Sequence, residues 1–467
     1  MTHNFHKSII RAYDIRGIYN ETLFDQDAFF VAKSFASFLN KNGKKKIVIA
    51  SDARKSSPTL KENLIKGLVE SGLEVIDVGV GPTPMLYFSI YDLDCDAGIM
   101  LTGSHNPKNH NGFKIGLKER PFYGDDIVNL AKIAADGDFV DATGSVTKVD
   151  IEDKYVEKII SDSVLNSQNF DKKYKIAWDN GNGAGGNVLK KVAGKLNAEN
   201  HLLFEEMDGN FPNHHPDPTV EANLQDLKNL IAQEKCDIGI AFDGDADRIG
   251  VVDDEGEVLW GDQLLIFYAQ EILQNDQGAS IIADVKASKV LFDEVKKAGG
   301  NPVMYKTGHS LVKAKMKELS APVAGEMSGH IFFADQYLGV KNNGYDDALY
   351  AAIRIINVLA KSGKKLSDLR KALPETFSTP EYRIAVPDEE KFELIEKLKA
   401  DLKQESKEFN DIDGIRADTD LGWWLIRASN TQAAISARCE SDSQENLEKL
   451  KEVLKARLEK YGITVIF

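Results

Sequence analysis

Cysteine is scarce in this 467-residue chain: Cys95, Cys236 and Cys439 stand far apart and form no CxxC pair. That excludes a disulfide framework and a cysteine-based zinc site, and it leaves buried free thiols as the expectation. No apolar run approaches the roughly 18 residues of a membrane span. The opening MTHNFHKSIIRAYDIRG lacks the apolar core of a secretory signal. A cytoplasmic protein with no membrane partner is expected. Basic charge is also short, with 58 Lys and Arg against 73 Asp and Glu and a net charge of −15. A nucleic-acid binder presents a basic face, so a nucleic-acid partner is not expected. An anionic small substrate remains open, because a few cations can focus positive potential in one cleft of an acidic protein.

The length exceeds what one core sustains, so several domains are expected. Three segments share a layout. They begin at KKKIVIASDARKSS, KKYKIAWDNGNGAGG and GASIIADVKASK. Each opens with a short β-prone run ending on an aspartate: Asp52, Asp179 or Asp284. A polar or Gly-rich turn follows, then a helix with apolar residues at 3.6 spacing (Leu60, Leu64, Ile65 and Leu68 in the first), then a second strand. This is the βαβ pattern. After each repeat another apolar run stops in a distinctive loop: AGIMLTGSHNP, IGIAFDGDADR and APVAGEMSGH. Ligands of open α/β sheets bind at strand ends, so three equivalent loops are expected to converge on one cleft. The remainder reads differently. PEYRIAVPDEEKFELIEKLKADL is a strand then a helix, GWWLIRASNTQAAISARCES is two strands around a polar loop, and SQENLEKLKEVLKARLEKYG is an amphipathic helix ending at Gly462. The fold class is therefore α/β, with three similar βαβ-repeat domains and a C-terminal α+β domain around a central cleft. The boundaries are placed at residues 1–150, 151–256, 257–373 and 374–467.

FDGDADR spaces Asp243, Asp245 and Asp247 at alternate positions after an apolar strand. Hard divalent cations take carboxylate oxygens, and three on one tight loop repel one another without a cation. An EF-hand is rejected, since its sixth loop position requires Gly and here holds Arg248. Mg²⁺ is preferred because it pairs with phosphate oxygens. TGSHNP supplies Thr102, Ser104, His105 and Asn106. Alone it reads more readily as a Gly/Asn/Pro turn than as a site, and no GxSxG elbow supports a hydrolase triad. Together the two motifs point further. A phosphorylated serine carries about −1.5 to −2 charge, which a three-Asp cation site offsets while assisting transfer. Arg16, Lys114, Arg248 and Lys286 are cations fit for such a cleft. Glu326 and Ser328 in GEMSGH suit two neighbouring sugar hydroxyls. His309 in KTGHS lies on another strand-end loop, and His330 is an acid–base candidate. Arg427, Ser429, Asn430 and Thr431 in RASNT form a candidate phosphate pocket.

TGSHNP, DGDADR, GEMSGH and RASNT, with RAYDIRG and KTGHS, resemble the α-D-phosphohexomutase family in order and over nearly the whole chain. The resemblance implies that Ser104 is the phosphoserine and that Asp243, Asp245 and Asp247 hold Mg²⁺ together with its phosphate. It implies that Arg427, Ser429, Asn430 and Thr431 hold the non-reacting phosphate. Tyr13, Arg16, Lys114, Arg248, Lys286, Gly308, His309 and His330 would line the cleft beside Glu326 and Ser328. Arg16 and His330 would handle protons. The activity implied is interconversion of hexose 1-phosphate and hexose 6-phosphate through a hexose 1,6-bisphosphate, which also serves as activator. Mannose is favoured and glucose accepted, and the chain is expected to be a monomer acting on sugar phosphates. The alternatives are a glucosamine-phosphate enzyme of the same family, an aspartyl-nucleophile phosphotransferase using Asp243, and an idle sugar-phosphate sensor.

Overall fold

A computed structural model describes residues 1–334, 344–429 and 433–465. Among these, the strands form four sheets. The first has the order Ile15–Ile18, His110–Leu117, Ala97–Leu101, Lys46–Ser51, Glu74–Val80, Ser145–Lys148. The second has Val258–Leu259, Ile249–Asp253, Ile238–Phe242, Lys175–Asp179, Glu199–Leu203. The third has Asn301–Tyr305, Ser280–Asp284, Val323–Gly325, Ile331–Phe333, Tyr345–Asp346. A shared plan underlies all three. The opening strand of each repeat lies between two parallel neighbours, and a further strand turns back antiparallel beside the third. Helices such as Ser57–Val69, Gly186–Lys195 and Lys289–Lys297 make the crossovers. The central strands Ala97–Leu101 and Ile238–Phe242 are buried along their whole length. That is why they read as unbroken apolar runs and not as alternating ones.

The fourth sheet is antiparallel, ordered Phe377–Ser378, Ala434–Ser441, Gly422–Ala428, Ile415–Thr419, with Tyr382–Ala385 also paired to Ala434–Ser441. Helices Asp388–Gln404 and Gln444–Glu459 cover it. The last helix stops three residues before Gly462, whose φ of +74° lies in the closing turn. One apolar cluster runs through all three α/β units, joining Met85 and Phe88 to Trp178 and Ile240 and on to Leu264 and Ile353. The C-terminal unit has a core of its own around Leu398, Trp424, Ile426 and Leu450. It meets the third unit through a small cluster of Val285, Trp423 and Leu425. All three cysteines are free and buried. Among the described residues no helix is long and apolar enough to cross a membrane.

In the first unit, helices Asp25–Lys41 and Ser57–Val69 approach closely at Gly67, where an added Cβ would stand 2.5 Å from the Phe29 carbonyl oxygen. Alanine in a helix interior gains about 1 kcal/mol over glycine, but overpacking a tight contact costs roughly 1–3 kcal/mol. Gly67→Ala is therefore expected to lower the urea midpoint of the first transition, and a raised midpoint would contradict the close-contact account.

Candidate active site

The same connection is used three times. In each α/β unit the loop between the third parallel strand and the antiparallel fourth carries the distinctive residues: 102–109, 243–248 and 326–330. The first two loops touch. Ser104 Oγ donates to Asp243 Oδ2 at 3.0 Å, across 139 residues of sequence. Ser104 holds a left-handed backbone, φ +50°, with its N–H on Thr102 Oγ1 at 2.8 Å. Two glycines admit this approach. A Cβ on Gly244 would lie 2.4 Å from the Ser104 carbonyl oxygen, and one on Gly103 would lie 2.4 Å from the Arg54 guanidinium carbon. Arg54, buried, wraps the serine loop from below. Its Nη2 donates to the carbonyls of Ser104 (2.7 Å) and Asn106 (2.6 Å), and its Nη1 to those of Pro107 (2.5 Å) and His110 (3.1 Å). Asp52 steadies the same loop, accepting from Arg54 Nε at 3.1 Å and from Gly103 N–H at 3.0 Å.

Asp243, Asp245 and Asp247 are buried, and they offer ligand oxygens that lie within 4.8 Å of one another. Lys114 reaches across from the first sheet, 2.7 Å from Asp245 Oδ2 and also bonded to Asp247. Burial disfavours the Lys114 charge, yet Asp245 and Asp247 hold its pKa well above the ordinary value. Burial likewise opposes the Asp245 charge, but Lys114 and the Thr83 hydroxyl keep its carboxyl below the usual range. Asp243 goes the other way: burial, then Asp247 and Asp245, raise it well above the usual range. Asp243 Oδ1 accepts the N–H groups of Asp247 and Arg248, each at 3.1 Å. Asp245 Oδ1 and Asp247 Oδ1 are buried and accept no hydrogen bond among the described residues. Two unused carboxylate oxygens beside a third on Asp243 fit a hard divalent cation.

The second and third loops join through a bridge between Arg248 and His330. Arg248 Nε donates to His330 Nε2 at 2.9 Å, so the ring proton sits on Nδ1, which faces Asp346 Oδ2 at 2.8 Å. Lys313 closes the chain, 2.7 Å from Asp346 Oδ1. Glu326, buried, accepts from Gly308 N–H at 2.7 Å and from the Ser328 hydroxyl at 3.1 Å. Tyr13 OH donates to the Thr307 carbonyl at 3.0 Å, and its ring meets His309 edge-on. His309 is the first residue of helix His309–Leu319, and it stacks at 6.1 Å on His330. Arg16 pairs with Asp14 at 2.5 Å. His105 Nδ1 lies 3.1 Å from Ser104 Oγ, and burial, then Arg248 and Arg16, hold its pKa well below the ordinary value. His105 thus supports the serine loop.

Lys286 lies farther along, 3.6 Å from Asp284 and 3.5 Å from Glu381 of the C-terminal unit. Arg427 Nε donates to Asp413 Oδ2 at 2.9 Å, and the same oxygen accepts from Thr307 N–H at 3.0 Å. Ser429 follows strand Gly422–Ala428, with its N–H on the Ala434 carbonyl at 2.9 Å. Asn430 and Thr431 lie outside the described residues. Thr83, Arg54, Lys313, Asp346, Asp413 and Glu381 were not singled out from the sequence. The double aspartate of GYDDAL and the Asp-x-Arg of SDARK are the only local signals two of them leave.

Four segments match family models in sequence order. Residues 7–140 match phosphoglucomutase/phosphomannomutase α/β/α domain I, 153–256 match domain II, 260–377 match domain III, and 381–456 match the C-terminal domain. The chain is 42% identical over 451 residues to a phosphomannomutase/phosphoglucomutase of Pseudomonas putida, covering 97% of this chain and 95% of that protein. It is 41% identical over 457 residues to a phosphoglucomutase of Neisseria gonorrhoeae, covering 97% of each. A crystal structure of a phosphoglucomutase/phosphomannomutase family protein from Burkholderia thailandensis superposes with a TM-score of 0.91 at 39% identity, over 99% of this chain and 100% of that one.

Asp243→Asn keeps an oxygen for the two backbone N–H groups and removes one of three crowded charges. Because the raised carboxyl disfavours its ionised form in the fold, stability linked to it is present at low pH and is lost as pH rises through the folded pKa. The variant is expected to melt higher than the parent at pH 8 without added cation, with a smaller gain at pH 5. Its affinity for added divalent cation should fall by at least about 100-fold, since even outer-shell ligand partners are worth 10–100-fold. Scanning calorimetry and titration calorimetry read the two effects; a lower melting point at pH 8 would refute the repulsion account.

Proposed function

The chain belongs to the phosphoglucomutase/phosphomannomutase family of α-D-phosphohexomutases, and on that premise we propose that it interconverts hexose 1-phosphates and hexose 6-phosphates, with mannose phosphate favoured and glucose phosphate accepted. The observation that carries the reading is the hydrogen bond from Ser104 Oγ to Asp243 Oδ2, which sets a phosphate carrier against a three-carboxylate group. Asp243, Asp245 and Asp247 would hold Mg²⁺. When bound, the ion neutralises charge on the phosphoryl oxygens during transfer.

Ser104 carries the phosphoryl group. Attack by O6 of a hexose 1-phosphate forms the P–O6 bond as the bond to Ser104 Oγ breaks, and Ser104 Oγ leaves as the oxyanion that takes back a phosphoryl group in the second half of the cycle. The O6 proton passes to a base, for which His330 is the suitable group: its Nδ1 faces Asp346 Oδ2 at 2.8 Å, and its Nε2, which accepts from Arg248, carries the lone pair. A substrate hydroxyl reaches that lone pair by displacing Arg248 Nε. Arg16, paired with Asp14, is the second candidate for proton handling. The hexose 1,6-bisphosphate then turns over. Its C1 phosphate returns a phosphoryl group to Ser104, and O1 takes a proton from the same acid–base group. Glu326 and Ser328, already bonded to each other, would accept and donate to the O3 and O4 hydroxyls, which mannose and glucose share. Lys286, Arg427, Ser429, Asn430 and Thr431 would hold whichever phosphate is not reacting, with Tyr13, Gly308 and His309 beside the ring.

The arrangement around Asp243 favours serine over an aspartyl nucleophile. Asp243 Oδ1 is taken by two backbone N–H groups and Oδ2 by Ser104. The reading keeps divisions near residues 150, 256 and 373; the matched segments support the first two, whereas the domain III match runs on to residue 377. Three buried free cysteines support a reducing, cytoplasmic compartment, and the reading includes a monomeric enzyme.

The test is incubation with glucose 1,6-bisphosphate followed by peptide mapping by mass spectrometry, together with rates on mannose, glucose and N-acetylglucosamine 1-phosphates. Acid-stable phosphate on Ser104 and preference for the first two sugars are expected. Ser104→Ala should lose at least about 10³-fold in kcat, a loss of more than about 4 kcal/mol of barrier lowering. Full activity of that variant, or phosphate on Asp243 instead, would overturn the mechanism.

A further inference from the structure

The C-terminal domain grips the segment that carries Lys286 by its backbone. Strand Ser280–Asp284 ends two residues before Lys286, so the carbonyls beyond it lack a strand partner. Arg416 Nη1 donates to the carbonyls of Val285 and Ala287, each at 2.7 Å. Arg438 Nη1 donates to the carbonyl of Lys286, between them. Three consecutive carbonyls of one domain are thus taken by two buried guanidinium groups of another. The Trp423 ring lies 3.8 Å from the Arg416 guanidinium carbon and 5.6 Å from that of Arg438. Glu440 completes the grip: it accepts from Ser288 Oγ at 2.9 Å, Lys289 N–H at 3.0 Å and Trp423 Nε1 at 2.8 Å. Glu381, also of the C-terminal domain, stands 3.5 Å from the Lys286 ammonium itself.

A planar guanidinium offers several donors in fixed directions, so it fixes the carbonyls it meets more tightly than a lysine would. A buried carbonyl that loses its donor is costly to leave unpaired. The Lys286 segment therefore keeps this position only while the C-terminal domain is seated against it. We infer that Arg416 and Arg438 are positioning residues that couple the placement of Lys286, on the third domain, to the seating of the C-terminal domain that carries Arg427 and Ser429. The cations that meet the non-reacting phosphate are then assembled as one unit, although they come from two domains. This rests on the phosphate-binding reading of Lys286 and Arg427 given above.

Arg438→Met, Arg438→Lys, Lys286→Ala and the double variant Lys286→Ala/Arg438→Met test it. In Arg438→Met, amide hydrogen exchange over residues 285–289 should quicken by at least about 10-fold while residues 98–117 keep the parent's rate. KM for glucose 1-phosphate should rise about 10-fold with kcat within about 3-fold, and Arg438→Lys should restore part of the loss. The double variant should raise KM by less than the product of the two single effects, because the arginine acts in part through that lysine. Additive effects on KM, or unchanged exchange at 285–289, would overturn the inference. Arg416→Met read by the same exchange experiment serves where Arg438→Met does not fold. A parent protein that turns over no hexose phosphate would refute the mutase reading alone, since the exchange measurement still decides whether the domains are coupled.

Discussion

Asp243, Asp245 and Asp247 crowd three carboxylates into a space from which water is shut out, and the surrounding structure is organised around that charge. At an effective dielectric near 20, two like charges about 4–5 Å apart repel by roughly 3–4 kcal/mol. Lys114, from a different domain, sits against two of the three. Backbone N–H groups and the Ser104 hydroxyl point at the third. The compensation is incomplete. Two carboxylate oxygens have no hydrogen-bond partner among the described residues, and Asp243 is pushed toward its protonated form. A site in that condition is suited to a divalent cation and to the oxygens of a phosphate that share it.

The architecture explains how such a site is assembled. Three α/β units repeat one plan, and in each the turn from the last parallel strand to its antiparallel neighbour faces the others. A common apolar cluster holds the three units together, so the turns meet at fixed distances. Close approach is purchased with glycine: at Gly103 and Gly244 the absent Cβ leaves room for Arg54 and for the Ser104 carbonyl. The C-terminal unit has a separate core and meets the third through a small apolar cluster and a set of polar side-chain contacts, among them two arginines on backbone carbonyls. Such contacts are directional and few, whereas the shared core is broad and non-directional. The division matches the proposed chemistry, in which three units would make the transfer centre and the fourth would help hold the remote phosphate.

Much of the fold was legible in the chain itself. The buried central strands appear as apolar runs, the crossover helices show 3.6 spacing, and each functional loop begins where an apolar run ends. The C-terminal strand and helix pattern was also readable, apart from the last helix stopping short of Gly462. Less of the site could be read. His309 was placed on a strand-end loop and proves to open a helix. Lys114 was marked as a cleft cation, but its position mid-strand gave no sign that it would neutralise two aspartates. Arg54 sits in an ordinary polar turn, and nothing near it says that it will hold four carbonyls. Asp346 and Lys313 orient His330 from other elements of the third unit and left only a weak local trace.

Residue order alone made legible the α/β class, the threefold repeat, the carboxylate spacing of DGDADR and the family resemblance. These follow from local chemistry, since periodicity, turn residues and carboxylate spacing act within a few positions. The tertiary structure alone decided which groups share charge: Ser104 with Asp243, Lys114 with Asp245 and Asp247, Arg248 with His330 and Asp346, and Arg416 and Arg438 with the Lys286 segment. Those pairings span from 16 residues, between His330 and Asp346, to more than a hundred. Electrostatic compensation in a buried site depends on distance in space, and spacing along the chain carries no record of it once the chain has folded back on itself.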